Sequence, residues 1–573
     1  MTESAENVTT DDISKETERN NLYEYLDRDD FTSEKYKIEV RGLPKYYGIG
    51  EFKKFLGDKL ELEFCKVKPP RKGSGWLYVS FRSAESRDKA ISVLHGVMWK
   101  NSKLSAHAAA PAPDPFIKRK IEAREAASKR SKTEENDEPV TLVCSKVLVK
   151  KTTIPLWDMP YPEQLQLKQK EMKTVLIKMG QQILKENKNL KDWLSSQNEK
   201  YEGLPCELMP ILSADLIEGY RNKCEFTIGR DTDGNKIIGF RLSSYAAGST
   251  AVGPIDDLCH IPEIMKSAVK ILEEFIHRSE LDVYNPVNHT GSWRQVTART
   301  TRLNHLMFII GVHPQDLSPD DLTKLKTELR DFFENGKGAQ AKVTSLFFQI
   351  LDRQTGRSDE SSKLEHLSGT EYIEENLLGM TFRISPQAFF QTNTLGAEVL
   401  YKAAIDLAKP TEETALIDVC CGTGTIGLAF SKHCGEVLGL EMVADAIKDA
   451  KVNTVQNGVT NCEFFVGKAE DVLSPVLHRT TKPTLVAIVD PPRAGLHHRA
   501  LVALRKAKKL NRLVYISCDP KAAIKNLVDL ARANSKHYSG EPLVPVKAVP
   551  VDMFPYTRHC ELIIYLERLA KSE

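Results

Sequence analysis

From about residue 389 onward, short apolar runs alternate with helix-patterned segments, and nothing else in the chain restricts its possible folds so strongly. Residues 416–419, 437–441, 464–466, 485–489 and 513–517 read as strands, and 444–457 reads as one of the helices between them. This alternation predicts a doubly wound parallel sheet, which holds its ligands beyond the carboxyl ends of the strands. Residues able to carry chemistry fall at those ends: Asp490, Cys518 and Glu561 each sit at a strand end or in the adjoining loop.

The first of these strands runs into Asp418-Val419-Cys420-Cys421-Gly422-Thr423-Gly424-Thr425. Glycines in such a loop let a cofactor approach the backbone closely, although a Gly-x-Gly alone is a weak signal. Glu441 follows Gly422 by 19 residues and ends the next strand, where a carboxylate can accept from ribose hydroxyls. No Gly-Lys-Ser/Thr follows, and the third glycine of dinucleotide binders is missing. S-adenosylmethionine, a nucleoside without phosphate, suits this loop best. Downstream, Ser517-Cys518-Asp519-Pro520 offers a thiol, and Glu561, 43 positions later, offers a carboxylate. A thiol, a carboxylate and a cofactor loop on one sheet suggest carbon methylation through a covalent intermediate. Alone, a strand-end cysteine is more often a small buried hydrophobe, and a lone glutamate is a strand-edge carboxylate.

Six motifs stand in order: Phe390-Gln391-Thr392-Asn393, the 418–425 loop, Glu441, Asp490-Pro491-Pro492-Arg493-Ala494-Gly495, Ser517-Cys518-Asp519-Pro520, and Asp552-Met553-Phe554-Pro555 leading to Cys560-Glu561. Over residues 205–569 the chain resembles the RNA 5-methyluridine methyltransferases. The resemblance implies a C-terminal Rossmann-like class I methyltransferase domain dependent on S-adenosylmethionine, over residues 389–573. It implies Cys518 as the nucleophile that adds to C6 of uracil and Glu561 as the base that removes the C5 proton. The thiol is expected to ionise readily, with its pKa lowered by local donors or charge. Gln391, Glu441 and Asp490 would line the cofactor and uracil site. Cys420, Gly422, Gly424 and Thr425 would form the cofactor cradle, and Asp490 with Arg493 would hold the uracil edge. Cys420 and Thr425 depart from the aromatic and asparagine common there, which leaves their side-chain contacts open. Some relatives hold an iron–sulfur cluster on closely spaced cysteines. Cys206, Cys224 and Cys259 lack that spacing, so neither a cluster nor another metal is expected.

The rest of the chain reads as accessory to this domain. Residues 1–35 carry eleven acidic and four basic side chains and read as a disordered acidic tail. Residues 36–108 follow a β-α-β-β-α-β order that resembles an RNA-recognition motif, with Trp76 and Tyr78 in Gly75-Trp76-Leu77-Tyr78-Val79-Ser80-Phe81 as stacking aromatics. Lys72 and Arg71 precede that run, while Glu39 occupies a position where another aromatic is expected. A sheet that packs on protein instead of RNA is the competing reading. Residues 109–202 form a charged linker and helical connection. Its stretch 116–132 has seven basic and two acidic residues, which suits a nuclear signal, a phosphate-binding arm or a merely solvated linker. Residues 165–193 have helical spacing with many lysines on the polar side. Residues 203–388 read as an antiparallel β-rich RNA-binding domain with helical insertions near 262–279 and 318–335. Arg221 and Lys223 open it, either as phosphate contacts or as an exposed strand face.

The balance of 80 Lys+Arg against 78 Asp+Glu leaves +2, so any nucleic-acid footprint must be local. Eleven scattered cysteines suit a reducing compartment. The acidic start shows no signal peptide or mitochondrial presequence, and no run approaches the ~18 apolar residues of a membrane span. A cytosolic monomer, with the nucleus as a second location, is expected. The implied substrate is tRNA, at the T-loop ribothymidine position, with other RNAs as further partners. Two alternatives compete: a 5-methylcytosine transferase, which would place a cysteine in the Asp490-Pro491-Pro492 block, and an RNA-binding tRNA folding factor with secondary catalysis.

Overall fold

The computed structural model describes residues 34–44, 47–69, 74–110, 145–242, 250–286, 288–351 and 364–569. The acidic tail up to residue 33, Arg71, Lys72 and the basic stretch 116–132 lie outside the described residues. The chain forms two compact units, whose described parts are residues 34–110 and residues 145–569. Among the described residues, no helix is long and apolar enough to cross a membrane.

In the first unit the elements run β1 (Lys37–Arg41), α1 (Ile49–Lys54), β2 (Lys66–Lys68), β3 (Trp76–Ser80), α2 (Ala84–Leu94) and β4 (Ser105–Ala108). They make an antiparallel sheet in the order β2-β3-β1-β4. Period-two alternation assigns the faces. Ile38, Val40, Leu77 and Val79 are buried with Phe52, Leu56, Ala90 and Leu94 of the helical layer. On the opposite face Trp76 and Tyr78 meet edge-on with ring centroids 5.0 Å apart. Lys37 lies 4.5 Å above the Tyr78 ring, and Arg41, paired with Glu39, lies 5.9 Å from that of Trp76. The second strand is short, Lys66–Lys68, and Glu61 at φ 47° turns the chain ahead of it.

The second unit opens with three helices, α3 (Ser145–Thr153), α4 (Tyr161–Glu186) and α5 (Lys191–Lys200). A seven-stranded sheet follows. It contains β5 (Lys223–Arg230), β6 (Lys236–Arg241), β7 (Val252–Gly253), β8 (Trp293–Thr300), β9 (Leu306–Val312), β10 (Ser345–Ile350) and β11 (Leu364–Gly369), in the order β7-β6-β5-β8-β9-β10-β11. Helix α6 (Glu263–Arg278) is inserted before β8, and α7 (Pro319–Glu334) lies between β9 and β10. The sheet is not wholly antiparallel as expected: β9 and β10 run parallel. A parallel pair needs a crossover, and α7 supplies it.

The hairpin β12 (Ile373–Leu377) and β13 (Met380–Ile384) leads into α8 (Thr394–Ala408) and then the alternating region. There the order is β14 (Thr414–Val419), α9 (Thr425–Ser431), β15 (Glu436–Glu441), α10 (Ala444–Gln456), β16 (Cys462–Val466), α11 (Ala469–Leu477), β17 (Thr484–Val489), α12 (His498–Lys506), β18 (Leu510–Ser517), α13 (Pro520–Ala531), β19 (Leu543–Asp552) and β20 (Glu561–Arg568). The sheet order is β16-β15-β14-β17-β18-β20-β19, and two short strands from upstream, Glu207–Leu208 and Leu212–Ser213, pair parallel with β19 on its outer side. The first five strands are parallel, and β20 runs antiparallel between β18 and β19.

Both faces of this sheet are covered, which explains the apolar runs in the sequence. One face packs on α8, α9 and α10. The other packs on α11, α12 and α13, and also on α4. Helix α4 contributes Met172, Val175, Leu176, Met179 and Ile183, all buried. Their spacing of three and four residues forms one stripe, and each such side chain contributes about 1.5–3 kcal/mol when taken from water. The helix expected to connect domains is therefore a wall of the alternating sheet.

Candidate active site

The carboxyl edge of the sheet collects the residues singled out from the sequence. Strand β14 ends into Cys420-Cys421-Gly422, β15 ends at Glu441, β17 leads to Asp490 and β18 leads to Cys518. Glu561 begins β20 and reaches the same edge only because β20 runs the other way. A cavity of about 1060 Å³ opens there. Gln391, Cys420, Gly422, Glu441, Asp490, Arg493, Cys518 and Glu561 line it, together with Arg221 from the start of the β-rich region.

The loop after β14 is built by backbone geometry. Cys420 takes φ 68°, a left-handed conformation that costs strain for a residue with a Cβ. Gly422 follows at φ 54°, and a Cβ added there would meet no atom within 4 Å, so the backbone lies open. Its N–H donates to Glu441 at 3.1 Å, and Val443 N–H donates to the other carboxylate oxygen at 2.9 Å. Glu441 is thus fixed at the lip of the cavity with acceptor capacity to spare. A glycine cradle beside a fixed acceptor, with no phosphate-binding sequence, fits a nucleoside cofactor such as S-adenosylmethionine.

Gly424 and Thr425 do not line the cavity. A Cβ on Gly424 would come within 2.9 Å of Phe464, so this glycine serves helix–sheet packing. The Thr425 hydroxyl is buried 2.9 Å from that of Tyr401. Lys223 is also outside the cavity wall, 3.4 Å from Glu225. Trp76 and Tyr78 belong to the first unit.

The carboxyls of the site titrate above the ordinary carboxylate range. Glu561 is buried, and Oε2 has no hydrogen-bond partner among the described residues. Burial holds its carboxyl well above the ordinary range; Asp490 adds to this and Arg493 opposes it. Burial pushes Asp490 up to about 7. Behind the loop, burial also pushes Asp418 up to about 7, although its Oδ2 accepts from Gly427 N–H at 2.8 Å. The Cys518 thiol was expected to be acidified and is not. Burial raises its pKa, and the Glu561 and Asp490 carboxylates raise it further against the pull of Arg493.

Sequence reasoning missed several wall residues. Phe389, 65 % exposed, stands one residue ahead of the first motif. Phe554, Thr557 and His559 come from the segment between β19 and β20. His260 is buried at the far wall, with Nδ1 unpartnered among the described residues, and burial lowers it to about 3, so its imidazole is neutral. Phe389 and the segment residues lay beside or within motifs, whereas His260 did not. Among the described residues, no cluster of three or more metal-ligating side chains stands together.

Comparison with known proteins follows the same lines. Residues 337–569 match a family model described as tRNA (Uracil-5-)-methyltransferase. Over 553 residues the chain is 43% identical to tRNA (uracil-5-)-methyltransferase homolog A of Homo sapiens, a match covering 96% of the chain and 85% of that protein. It is 39% identical over 419 residues to tRNA (uracil-5-)-methyltransferase homolog B of Mus musculus, covering 72% of the chain and 84% of that protein. Among solved structures, Pyrococcus abyssi tRNA (uracil-54, C5)-methyltransferase in complex with S-adenosyl-L-homocysteine shares the fold with a TM-score of 0.52 at 24% identity. That match covers 75% of the chain and 92% of that structure.

Proposed function

The chain belongs to the tRNA (uracil-5-)-methyltransferase family, and we propose that it forms 5-methyluridine at the T-loop ribothymidine position of cytosolic tRNA through a covalent cysteine adduct. One observation carries this reading: Cys518 and Glu561 meet on the cavity that also contains Gly422 and Glu441.

C5 of uracil is a poor nucleophile, so the ring must first be activated. The Cys518 thiolate adds to C6, forming an S–C6 bond, and the C5=C6 electrons move toward O4. S-adenosylmethionine, when bound, supplies a methyl group on a positively charged sulfur, which C5 then accepts. Glu561 takes the C5 proton, the C5–H electrons restore the double bond, and the thiolate leaves C6. Asp490 and Arg493 hold the uracil edge, and Gln391 and Glu441 position the cofactor.

The raised pKa values bear on these roles. Glu561 takes the C5 proton as a carboxylate, and the burial that raises its pKa makes that carboxylate a stronger proton acceptor. Arg493 favours the thiolate. The target base must leave its stack to reach this cavity.

The first unit, with an RNA-recognition-motif order and a basic, aromatic sheet face, grips the tRNA body on this reading. Residues 203–388 supply a further RNA-binding domain, and Arg221 on the cavity wall contacts the target strand. The enzyme works as a monomer in the cytosol and also enters the nucleus. Incubation with labelled S-adenosylmethionine and unmodified tRNA, followed by nucleoside analysis and mapping, tests the proposal. 5-Methyluridine at the T-loop position is expected. 5-Methylcytidine, or no methylated nucleoside, would overturn it.

A further inference from the structure

Asp552, the last residue of β19, is fully buried, and the lysine that neutralises it is equally buried and comes from α4. Lys168 Nζ donates to Asp552 Oδ1 at 2.6 Å and to the Phe554 carbonyl at 3.0 Å. The Tyr161 hydroxyl donates to Asp552 Oδ2 at 3.0 Å, and Phe554 N–H donates to Oδ1 at 3.0 Å. Between them on the helix, Gln164 accepts from Tyr556 N–H at 2.8 Å and donates to the carbonyls of Leu156 and Met159. Tyr161, Gln164 and Lys168 are spaced by three and four residues, so they occupy one helix face.

Apart from the two Gln164 donations, these bonds converge on residues 552–556, at the start of the segment between β19 and β20. That segment has no strand partner of its own, and Tyr556 holds φ 65° within it. It places Phe554, Thr557 and His559 on the cavity wall and delivers Glu561. Taking two charges out of water is costly, and an apolar pair of similar volume stabilises a fold at least as well. What the ion pair adds is direction: Lys168 and Asp552 fix both the N–H and the C=O of Phe554. Among the described residues, no hydrogen bond from α4 reaches Ser517, Cys518 or Asp519. Cys518 is set instead by the β18 pairings and by Asp519, which caps α13 through Ala522 N–H.

We infer that Lys168, with Tyr161 and Gln164, is a positioning residue for the proton-abstracting half of the site, whereas the nucleophile is placed independently of it. The inference rests on Glu561 being the base, as proposed above. If the segment slackens, Cys518 still adds to C6 and the ring is still methylated. The C5 proton then has no acceptor, so the C5=C6 bond does not re-form and the C6–S bond does not break.

The test uses the full chain and tRNA, with wild type in parallel. Lys168→Met alone leaves Asp552 charged and buried, so the decisive variant is the double change Lys168→Met with Asp552→Asn. Tyr161→Phe, which removes one hydroxyl, is the gentler companion should the double variant melt early. Cofactor affinity and the rate of covalent adduct formation should match wild type. Turnover should fall by about 10- to 100-fold for the double variant, as expected when a reacting group is misplaced by about 1 Å. The RNA–protein adduct should accumulate on denaturing gels, to a smaller extent in Tyr161→Phe, and Lys168→Arg should recover part of the loss. Wild-type turnover in the folded double variant, or in Tyr161→Phe if only that folds, would overturn the inference. An equal loss of adduct formation and resolution would also overturn it, since that marks general structural damage. If wild type itself makes no 5-methyluridine and Glu561→Gln traps no adduct, the chemical reading fails first, whatever the Lys168 variants do.

Discussion

Cys518 and Glu561 face each other across one antiparallel strand pair. Ser517 of β18 is the register partner of Leu562 of β20, so the residue after the first and the residue before the second stand side by side at the same edge. The 42 residues between them in sequence include α13, β19 and the segment gripped by α4. Nucleophile and base share the β18–β20 ladder, and the segment gripped by α4 is a further support that leads only to the base.

Cys518→Ala should abolish methylation and leave S-adenosylmethionine binding nearly intact, because the cofactor loop after β14 is built without it. Turnover close to wild type in this variant would rule out the covalent mechanism.

Glu561→Gln should slow turnover by roughly 10²–10⁴-fold, the usual contribution of a general base. Since methyl transfer precedes proton removal, labelled tRNA should appear in a slow-migrating band on a denaturing gel. Lost activity without that band would count against the order of steps.

Glu441→Ala should weaken S-adenosylmethionine binding roughly tenfold or more, because hydrogen bonds to charged groups are worth about 1.5–3 kcal/mol. Part of that loss should come from Gly422 and Val443, whose N–H groups lose their acceptor. Calorimetry showing unchanged affinity would exclude Glu441 as a ligand.

Asp418→Asn should stabilise the protein more at pH 8 than at pH 5. The carboxyl is raised from 3.8 to about 7 in the fold. Between those values the unfolded chain has lost the proton that the folded chain keeps. Stability from this group therefore falls as pH rises through the window and stays low above it. Asparagine mimics the protonated form and escapes the penalty. A difference in melting temperature that is the same at both pH values would contradict the assignment.

Removing residues 1–140 should raise the apparent KM for tRNA and flatten its salt dependence, with kcat little changed, because phosphate contacts carry the salt dependence. Loss of kcat at saturating tRNA, or methylation of a different uridine, would show that the first unit positions the target.

The chemistry was legible because strands buried on both faces advertise themselves as apolar runs, and the reactive residues stand at their ends. Cys518, Glu441 and Asp490 fall where this rule places them. The antiparallel insertion of β20 was not legible, since residues 543–552 and 561–568 read alike whichever of them pairs with β18. Gly424 and Thr425 were assigned to the cofactor because a motif marks positions, not contacts; Phe464 and Tyr401 are what they touch. Lys168 was counted on the polar side of a lysine-rich helix. Residue type alone cannot tell a lysine in water from one facing Asp552. The raised Cys518 pKa escaped for a related reason: it depends on carboxylates brought close only by the fold.

Helix α4 has a consequence for how such proteins can be assembled from parts. Residues 389–573 look like a transferable cassette, yet part of one face of that sheet is closed by Met172, Val175, Leu176, Met179 and Ile183. A gene fusion carrying the cassette alone would expose that face and leave Asp552 buried without its cation. Recombination that moves this chemistry between proteins has to carry the upstream helix along, so the inherited unit is discontinuous in sequence.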